Sequence, residues 1–148
     1  MEAVLLIGIQ GSGKSTFYVE RFFDTHVRIS QDLLRTPHRQ QRLLQFCLET
    51  RQPFVVDKTN VTRAERARCI LPALAAGFTV VAYFFEPDPR GAWERNLSRP
   101  RQVPAAGVFG TLKRLERPGL DEGFSIIHRV TLAAPRGFIV SPYPAAIS

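Results

Sequence analysis

Residues Gly8 to Ser15 read Gly-Ile-Gln-Gly-Ser-Gly-Lys-Ser, and they overlap the end of an unbroken apolar run from Val4 to Ile9. A run of that length and character suits a strand buried on both faces, as in a parallel sheet. The glycines let the backbone curl so that successive N–H groups converge on one point with no Cβ atoms in the way. From Lys14 to about Phe23 the chain reads as a helix, whose positive end faces the same point. Strand, glycine turn and helix in that order make an anion cradle and commit the chain to an α/β architecture.

The eight residues match the Walker A pattern at every fixed position, which a random chain of this length would do about once in two hundred. The pattern makes Gly8, Gly11, Ser12, Gly13, Lys14, Ser15 and Thr16 the expected nucleotide contacts. Lys14 would neutralise the β/γ-phosphate oxygens and the Ser15 hydroxyl would ligate Mg²⁺. ATP and Mg²⁺ are the expected cofactors, because the Asn-Lys-x-Asp motif of guanine readers is absent from the sequence.

Strand and helix signals alternate along the rest of the chain. Further strands are expected at His26–Ser30, Phe54–Asp57, Thr79–Phe85 and Phe124–Leu132. Helices are expected at Pro37–Arg51, with Leu43, Leu44, Cys47 and Leu48 as the apolar stripe, at Pro87–Asn96 and at Val108–Glu116. Another follows the capping box Thr62–Glu65, buries Ala67, Ile70, Leu71, Leu74 and Ala75, and ends at Gly77. The alternation predicts a three-layer α/β domain over residues 1–134 with a mostly parallel, five-stranded sheet. Residues 135–148, with Pro135, Pro142 and Pro144, read as an irregular tail. Ligands in such sheets bind at the carboxyl ends of the strands, so the residues after Ile9, Ser30, Val56 and Phe85 matter most.

At 148 residues and 16.7 kDa the chain is one domain's worth. Its apolar runs are strand-sized, so no membrane contact is expected. Met1-Glu2 leads straight into the first strand with no cleavage site, which makes a cytoplasmic location the expectation. Cys47 and Cys69 fall on apolar helix faces as reduced thiols. The formal charge of +7 and the pI of about 10.2 favour an anionic partner. Of the 20 basic residues only Lys14, Lys58 and Lys113 are lysines, a skew that codon usage also produces. The aromatics Phe22, Phe23, Tyr83, Trp93 and Phe109 read as core or lid packing rather than a base-stacking platform.

Asp32 lies two residues past the second strand, facing the γ-phosphate across the cleft. A phosphotransferase needs a base or positioning group there; alternatively, Asp32 charges the first turn of a short helix. The spacing Asp32-Leu33-Leu34-Arg35 resembles the acceptor motif of the polynucleotide kinases. The resemblance continues through Val55-Val56-Asp57-Lys58-Thr59-Asn60, then Arg95-Asn96 and Arg99 to Val103-Pro104, and closes with Pro118-Gly119-Leu120-Asp121-Glu122-Gly123-Phe124.

That resemblance implies sheet order 2-3-1-4-5, with Asp32 as general base on a 5′-hydroxyl and Arg35 on the acceptor phosphate. It also implies that Arg95 and Arg99, one helix turn apart, fold over the ATP phosphates. Asp57, in the Walker B position, would hold a Mg²⁺-bound water or orient Arg35, or else bond only the following turn. Thr59 and Asn60 are either site or turn residues, while Arg63, Arg66 and Arg101 read as exposed. Ser30-Gln31 stands before Asp32 where the DNA-repair members place Asn-Arg, so one acceptor arginine is missing. No Asp-x-Asp-x-Thr phosphatase motif is present.

The leading reading is therefore an ATP-dependent kinase acting on the 5′-OH of DNA or RNA, free-standing or assembled with other repair subunits. A kinase of a small-molecule acceptor (a sugar, nucleotide-sugar or antibiotic) uses the same residues. A third reading is a nucleotide-binding partner that holds a shape within a larger complex, which leaves Asp32 and Arg35 without a task.

Overall fold

Ala3 to Ile7 are without solvent exposure in the computed structural model, which describes residues 1–99, 102–133 and 136–143. Such a strand has to lie in the middle of a sheet. β1 (Glu2–Ile7) runs parallel between β3 (Phe54–Asp57) and β4 (Thr79–Phe85). β2 (Val27–Ser30) pairs parallel with β3, and β5 (Ile126–Leu132) pairs parallel with β4. The strand order β2-β3-β1-β4-β5 agrees with the expectation, and a sixth strand extends it.

That strand, β6 (Phe138–Pro142), is antiparallel to β5 and corrects both the strand count and the irregular tail. Prolines obscured the alternation there. Phe138 and Val140 pack inward on the core while Ile139 stays half exposed, and Pro142 ends the strand at the sheet edge, where it breaks no ladder.

Side chains alternate across β1, so each face supplies one layer of core. Val4 and Leu6 meet α1 (Lys14–Phe22) through Phe17, Tyr18 and Phe22, with Phe85 and Val130 completing the layer. Ala3, Leu5 and Ile7 meet α3 (Pro37–Thr50) and α4 (Arg63–Ala75) through Cys47, Leu48, Cys69, Ile70 and Ala73. Both cysteines are free thiols in this layer, and burial pushes them up to about 11 for Cys47 and about 12 for Cys69.

Between β2 and α3 lies the short α2 (Gln31–Leu34), capped by Ser30 Oγ, which accepts from Leu33 N at 3.3 Å. Two further helices follow β4, α5 (Pro89–Leu97) and α6 (Ala105–Arg114), the latter starting earlier than expected, with Pro104 at its N-cap. Ile9, Ala92 and Val108 form a small separate cluster with Trp93, Val103 and Leu112, which seats both helices on the glycine loop. Among the described residues no helix is long and apolar enough to cross a membrane.

Helix α4 is rotated relative to the expected stripe. Thr62 caps it as predicted, accepting from Glu65 N at 3.1 Å, and Gly77 follows its end at φ +81°. Its buried face, however, carries Arg66, Cys69, Ile70 and Ala73, whereas Leu71 is 62% and Leu74 42% exposed. The turn is explained by Arg66, expected at the surface but 0% exposed. Its Nε and Nη2 donate to Glu122 Oε1 and Oε2 at 2.8 and 3.1 Å, and Nη1 donates to the carbonyls of Asn60 and Glu116 at 2.8 and 3.0 Å. Four acceptors make burial of the guanidinium possible, and hydrophobic size loses to that network. Arg63, also expected at the surface, is partly exposed and paired with Asp121.

Candidate nucleotide and phosphoryl-transfer site

The glycine loop sits where β1 stops. Gly11 and Gly13 have φ of +78° and +95°, a conformation that side chains with a Cβ adopt poorly. Space forbids one as well, since a Cβ on Gly11 would lie 2.4 Å from the Ala92 carbonyl and one on Gly13 would lie 3.0 Å from the Phe138 ring. The loop is thus clamped between α5 on one side and β6 on the other. Gln10 extends the clamp, its Nε2 donating to Thr111 Oγ1 of α6 at 2.9 Å. Such a loop presents converging amides to a polyphosphate, and its residue types fit that group.

Lys14 reaches into the bowl, where its Nζ donates to the carbonyls of Gly8 at 2.9 Å and Ile9 at 2.8 Å. Desolvation lowers it to about 8 from an ordinary 10.5; Arg99 pushes the same way, while Asp57 and Asp32 oppose. One ammonium group therefore feels three of the residues singled out from sequence. A cavity of about 770 Å³ joins them: Lys14, Ser15, Asp32, Asp57, Arg95 and Arg99 all line it.

Each side chain has a structural reason for its place. Asp32 follows the carboxyl end of β2, in the first turn of α2. Asp57 is the last residue of β3, 6% exposed, and accepts from the Ser15 hydroxyl at 3.0 Å. Ser15 and Asp57 thus offer a hydroxyl and a carboxylate side by side, a donor pair suited to a hard divalent cation. Arg95 bends back over the loop, donating through Nε to the Gly11 carbonyl at 2.5 Å, with Asp88 at 4.0 Å. Arg99 is placed by Asn96, which is fully buried and exchanges hydrogen bonds with both Val103 N and Val103 O, at 2.8 and 2.6 Å. Arg99 N itself donates to the Asn96 carbonyl at 3.1 Å. Arg101, expected to be exposed, lies outside the described residues.

One expected site residue falls elsewhere, and one of the two left open as site or turn residues is structural. Arg35 ends α2 at φ +69°, is exposed, and does not line the cavity. Asn60 is a strut: its Nδ2 donates to Leu6 O at 2.8 Å and Val56 O at 3.3 Å, tying β1 to the end of β3. Thr59 does line the cavity, and its carbonyl accepts from Gly8 N at 3.0 Å. Phe23 and Phe109, read as packing, are 66% and 48% exposed.

The structure adds residues that the sequence did not point to. Arg68 and Arg114 also line the cavity, on helices that read only as amphipathic. Arg28 in β2 bonds both Ser15 and Asp57; the available signal was a charged side chain inside a short strand. Finally, Glu122 is a scaffold residue, accepting from Gly119 N at 3.0 Å and from Arg66, which accounts for the acidic turn before β5.

Comparison with known proteins agrees with this architecture. A bifunctional polynucleotide phosphatase/kinase of Schizosaccharomyces pombe is 25% identical over 135 residues, 87% of this chain and 33% of the relative. The chain therefore spans about a third of that protein's length. A gluconokinase from Sinorhizobium meliloti 1021 superposes with a TM-score of 0.61 at 21% identity, covering 90% of this chain and 84% of the other. Kti12 of Chaetomium thermophilum in complex with ADP-AlF3 gives 0.66 at 16% identity, covering 87% and 88%. At these identities the two structures speak for the fold alone, a kinase-type P-loop domain. The AAA_33 family model, described as an AAA domain, matches residues 24–118, which is well over half of the chain, and the protein belongs to that family.

Proposed function

We propose that the protein is an ATP-dependent phosphotransferase that passes the γ-phosphoryl group of ATP to the 5′-hydroxyl of a polynucleotide. One observation carries the transfer chemistry: Lys14, Asp32 and Arg99 share a single cavity, and Lys14 responds electrostatically to both of the others. In this reading the loop amides and Lys14 hold the β- and γ-phosphates, and Arg95 and Arg99 lie over them. A divalent cation, Mg²⁺ by preference, would be held by Ser15 and Asp57, where it would offset phosphate charge. A second cavity of about 270 Å³ beside Ser12 has a mixed lining, with Phe85, Pro87 and Leu132 alongside Glu86, Asp88 and Arg95, and in this reading it takes the base.

Asp32 takes the proton from the acceptor hydroxyl as that oxygen attacks phosphorus; the bond from the γ-phosphorus to the bridging oxygen breaks, and ADP leaves. The polynucleotide acceptor is supported by the likeness to the S. pombe relative and by Arg68 and Arg114 in the cavity lining, the latter paired with Glu65 at 3.7 Å. Arg35, exposed three residues beyond Asp32, serves an acceptor chain that extends past the cavity.

One observation favours a small acceptor instead: Arg35 stays out of the cavity, so nothing inside depends on it. A label-transfer screen from γ-labelled ATP, offering 5′-OH oligonucleotides beside sugars and other small alcohols, separates the two. Transfer to oligonucleotides that weakens steeply with salt supports the polynucleotide reading, since phosphate contacts release counterions. Transfer only to a small alcohol moves the assignment to that class. Asp32→Asn should abolish transfer while ATP still binds, and Lys14→Ala should weaken both. Full activity in Asp32→Asn would remove the base from this scheme.

A further inference from the structure

Arg28 sits in β2 with Val55 as its register partner, two positions before the Ser30–Asp57 pair. Side chains two apart on a strand share a face, so Arg28 reaches Asp57 diagonally. Both its Nε and its Nη2 lie 2.8 Å from Asp57 Oδ2. Nη2 also donates to Ser15 Oγ at 3.0 Å, and the Ser15 hydroxyl donates to the same Oδ2 at 3.0 Å. The guanidinium carbon is 5.8 Å from the Tyr18 ring centroid, and Tyr18 is itself fixed by donating to the His26 carbonyl at 2.5 Å. The Asp57 side chain is 4% exposed, whereas Arg28 is 30% exposed and so has an open route to solvent.

The two oxygen groups that suit a divalent cation are thus the two that one guanidinium grips. Desolvated Asp57 needs a counter-charge, which Arg28 supplies through charge-assisted bonds. A cation bound to Ser15 Oγ and drawn by Asp57 would meet a fixed positive charge within hydrogen-bond distance of both. Like charges at such separation repel, and the repulsion is least screened on the side of the buried Asp57. All three bonds to Asp57 fall on Oδ2, so a cation drawn to that oxygen and to Ser15 Oγ competes with the guanidinium for both.

We propose that Arg28 is a resident cation on the Ser15–Asp57 pair, displaced toward solvent when a divalent cation enters with the nucleotide. The inference rests on the nucleotide–metal reading of the site. Arg28 keeps Asp57 neutralised before the metal arrives, and raises the metal concentration needed to complete the site. The entering metal has to outcompete it, so apparent metal affinity falls by the fraction of protein in which Arg28 is docked.

The test is a binding titration with a fluorescent ATP analogue, mant-ATP, at fixed nucleotide and increasing Mg²⁺. Binding is read directly, without turnover. Arg28→Gln should lower the half-effective Mg²⁺ concentration by about tenfold, and should not strengthen metal-free nucleotide binding. Arg28→Lys keeps the charge but loses the fork geometry, and should fall between the two. Should Arg28→Gln fail to fold, Arg28→Lys decides alone, a midpoint below that of the wild type supporting the proposal. Midpoints equal to or above wild type overturn it, the latter showing that Arg28 holds Asp57 in place for the metal. Wild-type protein that binds no mant-ATP at saturating Mg²⁺ would defeat the nucleotide reading itself, a distinct outcome.

Discussion

Replacing Arg66 by alanine tests whether the rotation of α4 follows from one buried guanidinium. Arg66 is 0% exposed and the Glu122 side chain 6%. Removing the arginine leaves the buried Glu122 carboxylate, among the described residues, with only Gly119 N at 3.0 Å and the more distant Arg63 at 3.8 Å, and breaking a buried pair in this way costs about 3–5 kcal/mol. The carbonyls of Asn60 and Glu116 lose their shared donor at 2.8 and 3.0 Å, which adds about 1 kcal/mol. The expected loss is about 5 kcal/mol, out of a total stability of roughly 5–15 kcal/mol for a domain of this kind. Urea unfolding followed by circular dichroism reads it as a lower midpoint at unchanged slope, and a thermal scan should fall by roughly 10–20 °C.

The companion variant Arg66→Met/Glu122→Leu removes both charges and should recover about half of the loss. It does not recover everything, because Glu122 also caps Gly119 N. A loss below about 1 kcal/mol in Arg66→Ala, or strict additivity of the two single changes, would refute the claim that this pair anchors the helix.

The glycine loop and Lys14 give three further expectations. Gly11→Ala forces a Cβ into the Ala92 carbonyl at a φ of +78°; isothermal titration should show at least tenfold weaker ATP binding, and near-wild-type affinity would refute the clamp between α5 and the loop. Lys14 binds its proton less tightly folded, about 8, than at its ordinary value of 10.5. The unfolded chain therefore carries more protons between those pH values, and folding stability attributable to Lys14 rises with pH across that window. Urea midpoints of wild type relative to Lys14→Met should climb from pH 8 to 10.5, and a flat difference would show that the ammonium is not desolvated. Bound polyphosphate should pull the same group upward, so ATP affinity should decline as pH passes about 8.

What the sequence alone determined is whatever depends on local pattern. The glycine spacing from Gly8 to Ser15, the unbroken apolar character of β1 and β4, and the Thr62 cap are consequences of residues close together in the chain. So are the placements of Lys14, Ser15, Asp32 and Asp57 at strand ends, because a parallel sheet fixes which end carries the site. Tertiary structure decided whatever depends on partners distant in sequence. Arg66 is inside because Glu122, Asn60 and Glu116 converge on it from three separate segments, none of which advertises the pairing. β6 exists because β5 offers an edge and Phe138 finds a slot against Gly13 and Phe17, which local proline content cannot reveal. Arg35 points out and Arg28 points in for the same reason: the direction of a long cationic side chain is set by the acceptors it meets across the fold.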